Sequence, residues 1–273
     1  SISAGADSEA VLDISNIGQV QATKDKSAVE YLHDFLTHFA TNQMTLSGGK
    51  QKIAVDMWGT DETFDLDKFD YNGESLSSLL NGLNINGSTH QGQKYTYIWV
   101  STGEELKNIQ AYYEANKNNT NILSYNFALK NDIDASVVKD YVAIGTGSTD
   151  GFTGTFDGRD NRIIGLKVDT LSNGTAQSNA GIFNTIGTGG KVEDLRVYSG
   201  TFSGTDNAGA VAGVNNGTIS NVTTFGNVVT AKGSKNSTEM PGDKADSTGT
   251  PEKVNVGAAG GIAGIHAGSI DNA

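Results

Sequence analysis

The sequence has no cysteine, two prolines and three arginines in 273 residues. Without cysteine there are no disulfide staples, no thiolate metal sites and no thiol nucleophile. Both prolines, Pro241 and Pro251, fall in one stretch. Proline cannot donate to a central strand, so the rest is open to continuous ladder pairing and this stretch is expected to be loop. No run approaches 18 apolar residues, so no segment is expected to insert in a bilayer. The formal charge is −12. That argues against nucleic acid and anionic membrane surfaces as partners, because both require basic patches. No signal-peptide pattern follows Ser1.

Glycine is abundant, with 35 residues, near twice the usual share of about 7 %. Between the glycines one phrase recurs three times. Ala180-Gly181-Ile182-Phe183 is followed by Lys191-Val192-Glu193-Asp194. Ala208-Gly209-Ala210-Val211 is followed by Thr218-Ile219-Ser220-Asn221, and Ala259-Gly260-Gly261-Ile262 by Ser269-Ile270-Asp271-Asn272. The first two copies are 28 positions apart and the last two 51, so the third keeps register across about 23 extra residues. A partial copy precedes them at Arg162–Val168. Such periods mark stacked repeats, and short β-branched runs divided by Gly and Asn indicate strands, not helices. One repeat cannot bury its own apolar face and must stack on the next. A parallel β-solenoid is therefore expected, with Phe183, Val211 and Ile262 in one interior column and Val192, Ile219 and Ile270 in another. Asp194, Asn221 and Asn272 are expected at a bend, where their side chains bond neighbouring backbone.

The helical period replaces the strand pattern in two places. Val29, Leu32, Leu36 and Phe39 follow a capping-box spacing at Ser27 and Glu30, which predicts a helix near 26–40. Leu106, Ile109 and Tyr113 follow another at Thr102 and Glu105, which predicts a helix over 103–116. Both are expected to flank the stack. Strands are expected at 52–58, 83–87, 95–100 and 125–129, with one or two short strands within 1–23. The excursion 232–254 is expected to project as a loop.

Few residues suggest chemistry. His33 and His38 lie five apart, which keeps them off one helical face and argues against a metal pair. Asp61, Glu62, Asp65, Asp67 and Asp70 miss the spacing of a calcium loop and are expected to be a solvated acidic segment. Asp132 and Asp134 resemble a metal or catalytic pair, but a turn beside a strand explains them as well. No H-E-x-x-H motif is present. Arg159, Arg162 and Arg196 form no evident constellation. No catalytic, cofactor or metal residue is expected, and the chain is not expected to be an enzyme. N-x-[ST] sequons place candidate glycosylation at Asn86, Asn118, Asn173, Asn216 and Asn236; Asn221 also fits, but its place at a stacked bend makes it the one least expected to carry a sugar.

Three stretches in order, Tyr97–Leu106, Tyr125–Asp134 and Phe152–Gly158, together with the phrases at 180, 208 and 259, resemble the GLUG-repeat region of large bacterial surface proteins. These include filamentous-haemagglutinin-like adhesins and the non-catalytic part of some immunoglobulin A metallopeptidases. The resemblance covers about 97–273. Residues 1–96 look more loosely like haemagglutinin-type coils, and the helix near 26–40 departs from that pattern. The family implies an all-β, right-handed parallel β-helix with two short helical insertions. It also implies export to the cell surface, adhesion or rigid display, and no catalytic residue. Implied partners are a receptor on a host cell or other surface, glycans included. Further coils are expected at both ends, because Ser1–Ala6 has no capping element and Asp271–Ala273 stops inside a repeat phrase. The alternatives are a peptidase stalk and a β-helical polysaccharide-degrading enzyme, which would need clustered carboxylates or a paired acid and base.

Overall fold

The computed structural model describes residues 2–3, 9–16, 26–42, 46–47, 50–83, 92–232 and 257–273. It is mostly β, the ladders between its described strands run parallel, and it is compatible with a β-solenoid. The chain divides into two compact units, one of residues 1–100 with 126–128, the other of residues 101–125 with 129–273.

In the first unit the strand Glu9–Asp13 lies parallel to Lys50–Val55, which pairs in turn with Thr96–Val100. Ala54, Trp99 and Ala128 form a buried cluster with Val11 and Tyr97 against it. The Trp99 indole N–H donates to Asp13 Oδ2 at 3.0 Å, so the buried ring keeps a polar partner. The strand expected at 52–58 ends at Val55, and Trp58 instead bridges antiparallel to Phe64. The helix expected near 26–40 spans Ala28–Asn42, and Ser27 Oγ accepts from Glu30 N at 3.2 Å. Leu32 and Leu36 are its buried face. Two further helices, Leu76–Asn81 and Gly92–Tyr95, lie among the strands expected between residues 52 and 100, so the two expected helical insertions become four α-helices among the described residues. Six and four residues are too few to print a 3.6 period. Ile17, Val20 and the expected strand from Asn84 to Gly87 lie outside the described residues, as do 233–254 of the expected loop.

In the second unit the first two repeats contribute four strands each and the third contributes three among the described residues. The first has Asn179–Ala180, Phe183–Ile186, Lys191–Tyr198 and Thr201–Gly204. The second has Asn207–Gly209, Ala212–Asn215, Thr218–Phe225 and Val228–Ala231. The third supplies Ala258–Gly260, Ala263–His266 and Ser269–Asp271. Every strand pairs in parallel with its counterpart in the next repeat. Stacked side chains therefore recur at about 4.8 Å.

The expected column Val192, Ile219, Ile270 is present and extends back to Phe156. The other is slipped by one residue. Phe183 pairs with Ala212, and Ala212 with Ala263. Val211 and Ile262 sit one position earlier, where their carbonyls accept from Phe183 N and Val211 N, both at 2.9 Å. The Arg162–Val168 segment does not stack on the Ala-Gly phrase. It pairs with Arg196–Phe202, Arg162 opposite Arg196 and Val168 opposite Phe202.

Asp194, Asn221 and Asn272 do form a bend column, at φ of 52°, 51° and 52°. Asn221 Nδ2 donates to Asp194 Oδ1 at 2.7 Å, and Asn272 Nδ2 to Asn221 Oδ1 at 3.3 Å. Asn and Asp tolerate left-handed backbone better than other non-glycine residues. The expected helix 103–116 spans Gly103–Asn116, with Thr102 Oγ1 accepting from Glu105 N. It docks through buried Gln110, which accepts from Gly145 N at 2.9 Å and donates to Thr146 O at 2.9 Å.

Candidate functional site

The long strands of the second unit bury alternate residues and turn the others outward. Leu195 and Val197 are buried while Arg196 is exposed and Tyr198 half-buried. In the next repeat Val222 is buried, and Thr223 and Phe225 are exposed. Register then assembles an outer face. Arg162, Arg196 and Thr223 form one column, and Ile164, Tyr198 and Phe225 the next. The strand Ile133–Asp134 pairs with Ile163–Ile164 and brings Asp132 alongside Arg162. Behind this face the bend residues Gly165, Ser199 and Gly226 are all left-handed, at φ of 74°, 56° and 67°.

Asp132 and Asp134 both have structural partners. Asp132 accepts from Arg162 Nε at 3.1 Å, from Nη2 at 2.7 Å and from the Arg162 backbone N–H at 2.8 Å. The Arg162 side-chain hydrogen bond is the main reason its carboxyl is held below the usual carboxylate range. Asp134 is lowered chiefly by the Ser136 hydroxyl, which donates at 2.5 Å. A carboxylate whose pKa is depressed on folding adds stability above its unfolded value, about 3.9, and loses it as pH falls through the lower folded value. The Asp132→Asn variant is therefore expected to melt below the native protein at pH 6, with the gap closing below about pH 4. Thermal melts across pH 3–6 measure this; a gap that stays constant removes the Asp132–Arg162 pair as its cause.

A carboxylate group that sequence reading did not anticipate lies on the same ladder. Oxygens of Asp157, Glu193 and Asp194 lie within 4.8 Å of one another, a spacing that could hold a cation. Asp157 and Glu193 are buried. Each carboxylate already meets a donor: Arg159 N reaches Asp157 at 2.8 Å, Lys191 Nζ reaches Glu193 at 2.7 Å, and Asn221 Nδ2 reaches Asp194. The group was hidden because Asp157 and Glu193 are 36 positions apart in sequence and become neighbours only through the ladder.

A pocket of about 300 Å³ lies among Ser136, Lys139, Asp140, Lys167, Asp169 and Ser172. Its charges are matched in sign. Asp140 accepts from the Ser172 backbone and hydroxyl at 2.8 Å, and Lys167 lies 3.8 Å from Asp169. The Ser172 backbone N–H is the leading cause of the lowered Asp140 pKa.

The remaining sequence-marked residues do not converge. His33 is buried, contacts the Phe69 carbonyl through Nε2 and packs edge-on to Tyr71 at 5.6 Å, while His38 is exposed. In the acidic segment Asp61 accepts from Thr63, and Asp65 from Asp67 N at 3.0 Å, as turn-making carboxylates do. Asn118, Asn173 and Asn216 are exposed, as is Asn221; Asn86 and Asn236 lie outside the described residues.

Over 142 residues the chain is 30 % identical to halomucin of Haloquadratum walsbyi (strain DSM 16790 / HBSQ001). The match covers 49 % of this chain and 2 % of halomucin, so the chain spans a very small part of that protein's length. No family model matches the chain. No solved structure matches it either. Among the described residues no helix is long and apolar enough to cross a membrane.

Proposed function

We propose that this chain is a right-handed parallel β-helical segment of a large, secreted cell-surface protein of the GLUG-repeat kind, serving attachment or display and not catalysis. The observation that carries this reading is the in-register stacking of the strands within residues 179–231 and 258–271, in which each recurring side chain has a structural task. Val192, Ile219 and Ile270 fill the interior, and Asp194, Asn221 and Asn272 make the bend. Similarity to a small part of halomucin supports membership in a much longer protein. The partners proposed are a surface receptor, glycans included, and further repeats of the same longer chain.

The test is made on intact cells that produce the parent protein. Antibody raised against this segment is expected to label unpermeabilised cells, and external protease to remove the signal. Deleting 97–273 in frame is expected to reduce attachment to host cells or abiotic surfaces. Label seen only after permeabilisation would overturn the surface assignment. In parallel, the segment is incubated with pectic glycans, with and without calcium. New reducing ends or unsaturated products that vanish in the Asp132→Asn variant would replace display with catalysis.

A further inference from the structure

All three arginines of the chain lie within residues 159–196, and two of them are direct neighbours on the ladder, Arg162 opposite Arg196. Like charges opposite each other on adjacent strands are unfavourable. A chain of net charge −12 with only three arginines has ample scope to avoid that arrangement. Asp132 satisfies Arg162, at 2.7 Å. Arg196 is exposed, and its guanidinium makes no hydrogen bond or ion pair with the described residues. On the ladder Arg162 thus stands between Asp132 and Arg196; the one carboxylate bonds Arg162, acts on Arg196 only through its charge, and leaves the Arg196 side chain exposed to solvent.

The adjoining column is apolar. Ile164, Tyr198 and Phe225 occupy it two residues further along each strand, about 6.6 Å from the arginines. Tyr198 and Phe225 meet edge to face, with centroids 6.1 Å apart, and Phe225 is 72 % exposed. An aromatic ring this exposed contributes little to folding. Departures from local rules of this sort concentrate where a surface has work beyond folding.

We propose that this face binds an acidic polysaccharide, its carboxylate or sulfate groups on Arg196 and the apolar face of a sugar ring on Phe225 and Tyr198. The assignment rests on the surface-protein reading above for its biological setting but not for its chemistry. Guanidinium offers two parallel N–H donors that match a carboxylate or sulfate. Aromatic rings present a flat apolar surface with a modest desolvation cost. A charged pyranose chain carries both features side by side at each unit. Nucleic acid does not fit, because a single arginine that no carboxylate bonds neutralises too few phosphates on a protein of net charge −12. An acidic peptide could meet Arg196, but it would lose more conformational freedom on an open face without walls.

The test uses the whole 273-residue chain immobilised for interferometry. The probes are polygalacturonate and dextran sulfate, with dextran as the neutral control and poly-L-glutamate as the polyanionic peptide. Both acidic polysaccharides are expected to bind, more weakly as salt rises, and dextran is not. Arg196→Gln is expected to weaken binding at least tenfold, Arg196→Lys to restore part of the loss, and Phe225→Ala to weaken it severalfold. Lys139→Gln, on another surface, should change it less than twofold. Both key side chains are exposed, so melting temperatures should match the native value and separate lost binding from lost folding. Absence of binding to either acidic polysaccharide, or native affinity in both Arg196→Gln and Phe225→Ala, overturns the proposal. Poly-L-glutamate binding as tightly as polygalacturonate would reassign the face to acidic peptides. Any of these with the segment still detected on intact cells refutes the ligand and leaves the surface reading standing.

Discussion

Phe183→Ala is expected to destabilise the second unit by about 3–5 kcal/mol, the usual result of emptying a buried aromatic site. Phe183 is fully buried and lies between two other rings, Phe152 at 4.9 Å and Phe156 at 5.5 Å between centroids. Its counterparts in the next two repeats are Ala212 and Ala263. These carry no side chain long enough to relax into the vacated space, so the cavity persists. Phe225→Ala, at an exposed position of the same stack, should stay within about 0.5 kcal/mol. Urea titrations of both variants against the native chain measure the difference. Equal midpoints for the two would mean that Phe183 is not the interior residue its register makes it.

Asn221→Val is expected to cost about 2–3 kcal/mol, and Asn221→Gly less than about 1 kcal/mol. The valine faces two penalties. Left-handed backbone costs an L-residue about 1–2 kcal/mol, and the loss of side-chain hydrogen bonds adds about 0.5–1.5 kcal/mol. Asn221 stands at φ 51° and bonds both ways along the bend, to Asp194 and to Asn272. Glycine keeps the backbone at ease and forfeits only the ladder bonds. The same titrations separate the two contributions. If glycine proves as damaging as valine, the side-chain ladder and not the backbone conformation governs this bend.

These two sites also show what could be seen in advance. The Asn bend and the Val192–Ile219–Ile270 column were legible because like residue types recur in both at the same two separations, 27 and 51. The Phe183 column was not. The separation between the first two repeats is 28 at Ala180 and Ala208, 29 at Phe183 and Ala212, and 27 at Val192 and Ile219. One residue is gained before the strand and two are lost after it, which a constant period misses. The helix 103–116 announced itself through its cap and its apolar stripe. Leu76–Asn81 had a cap, Ser75 Oγ accepting from Ser78 N at 3.1 Å, but no stripe long enough to notice. The arginine pair was hidden for a related reason. Arg162 and Arg196 are 34 positions apart, a separation that belongs to no copy of the repeated phrase, so only strand pairing makes them neighbours.

The third repeat lies 51 positions beyond the second at Ala208 and Ala259, and also at Ile219 and Ile270, yet the pairing between them is unbroken. In sequence the surplus residues fall between Ala231 and Ala258, and among the described residues no ladder position on either side shifts to admit them. Closing a longer loop costs only about 0.6 kcal/mol for each doubling of its length. Lineages can therefore lengthen, shorten or exchange the sequence between these two strands almost freely, while a single residue gained inside a strand would throw every side chain beyond it to the opposite face. Descendants of one ancestral repeat should differ most in the length of this connection and least in the spacing of their strands, and a foreign peptide grafted between the two strands should be carried without loss of the stack.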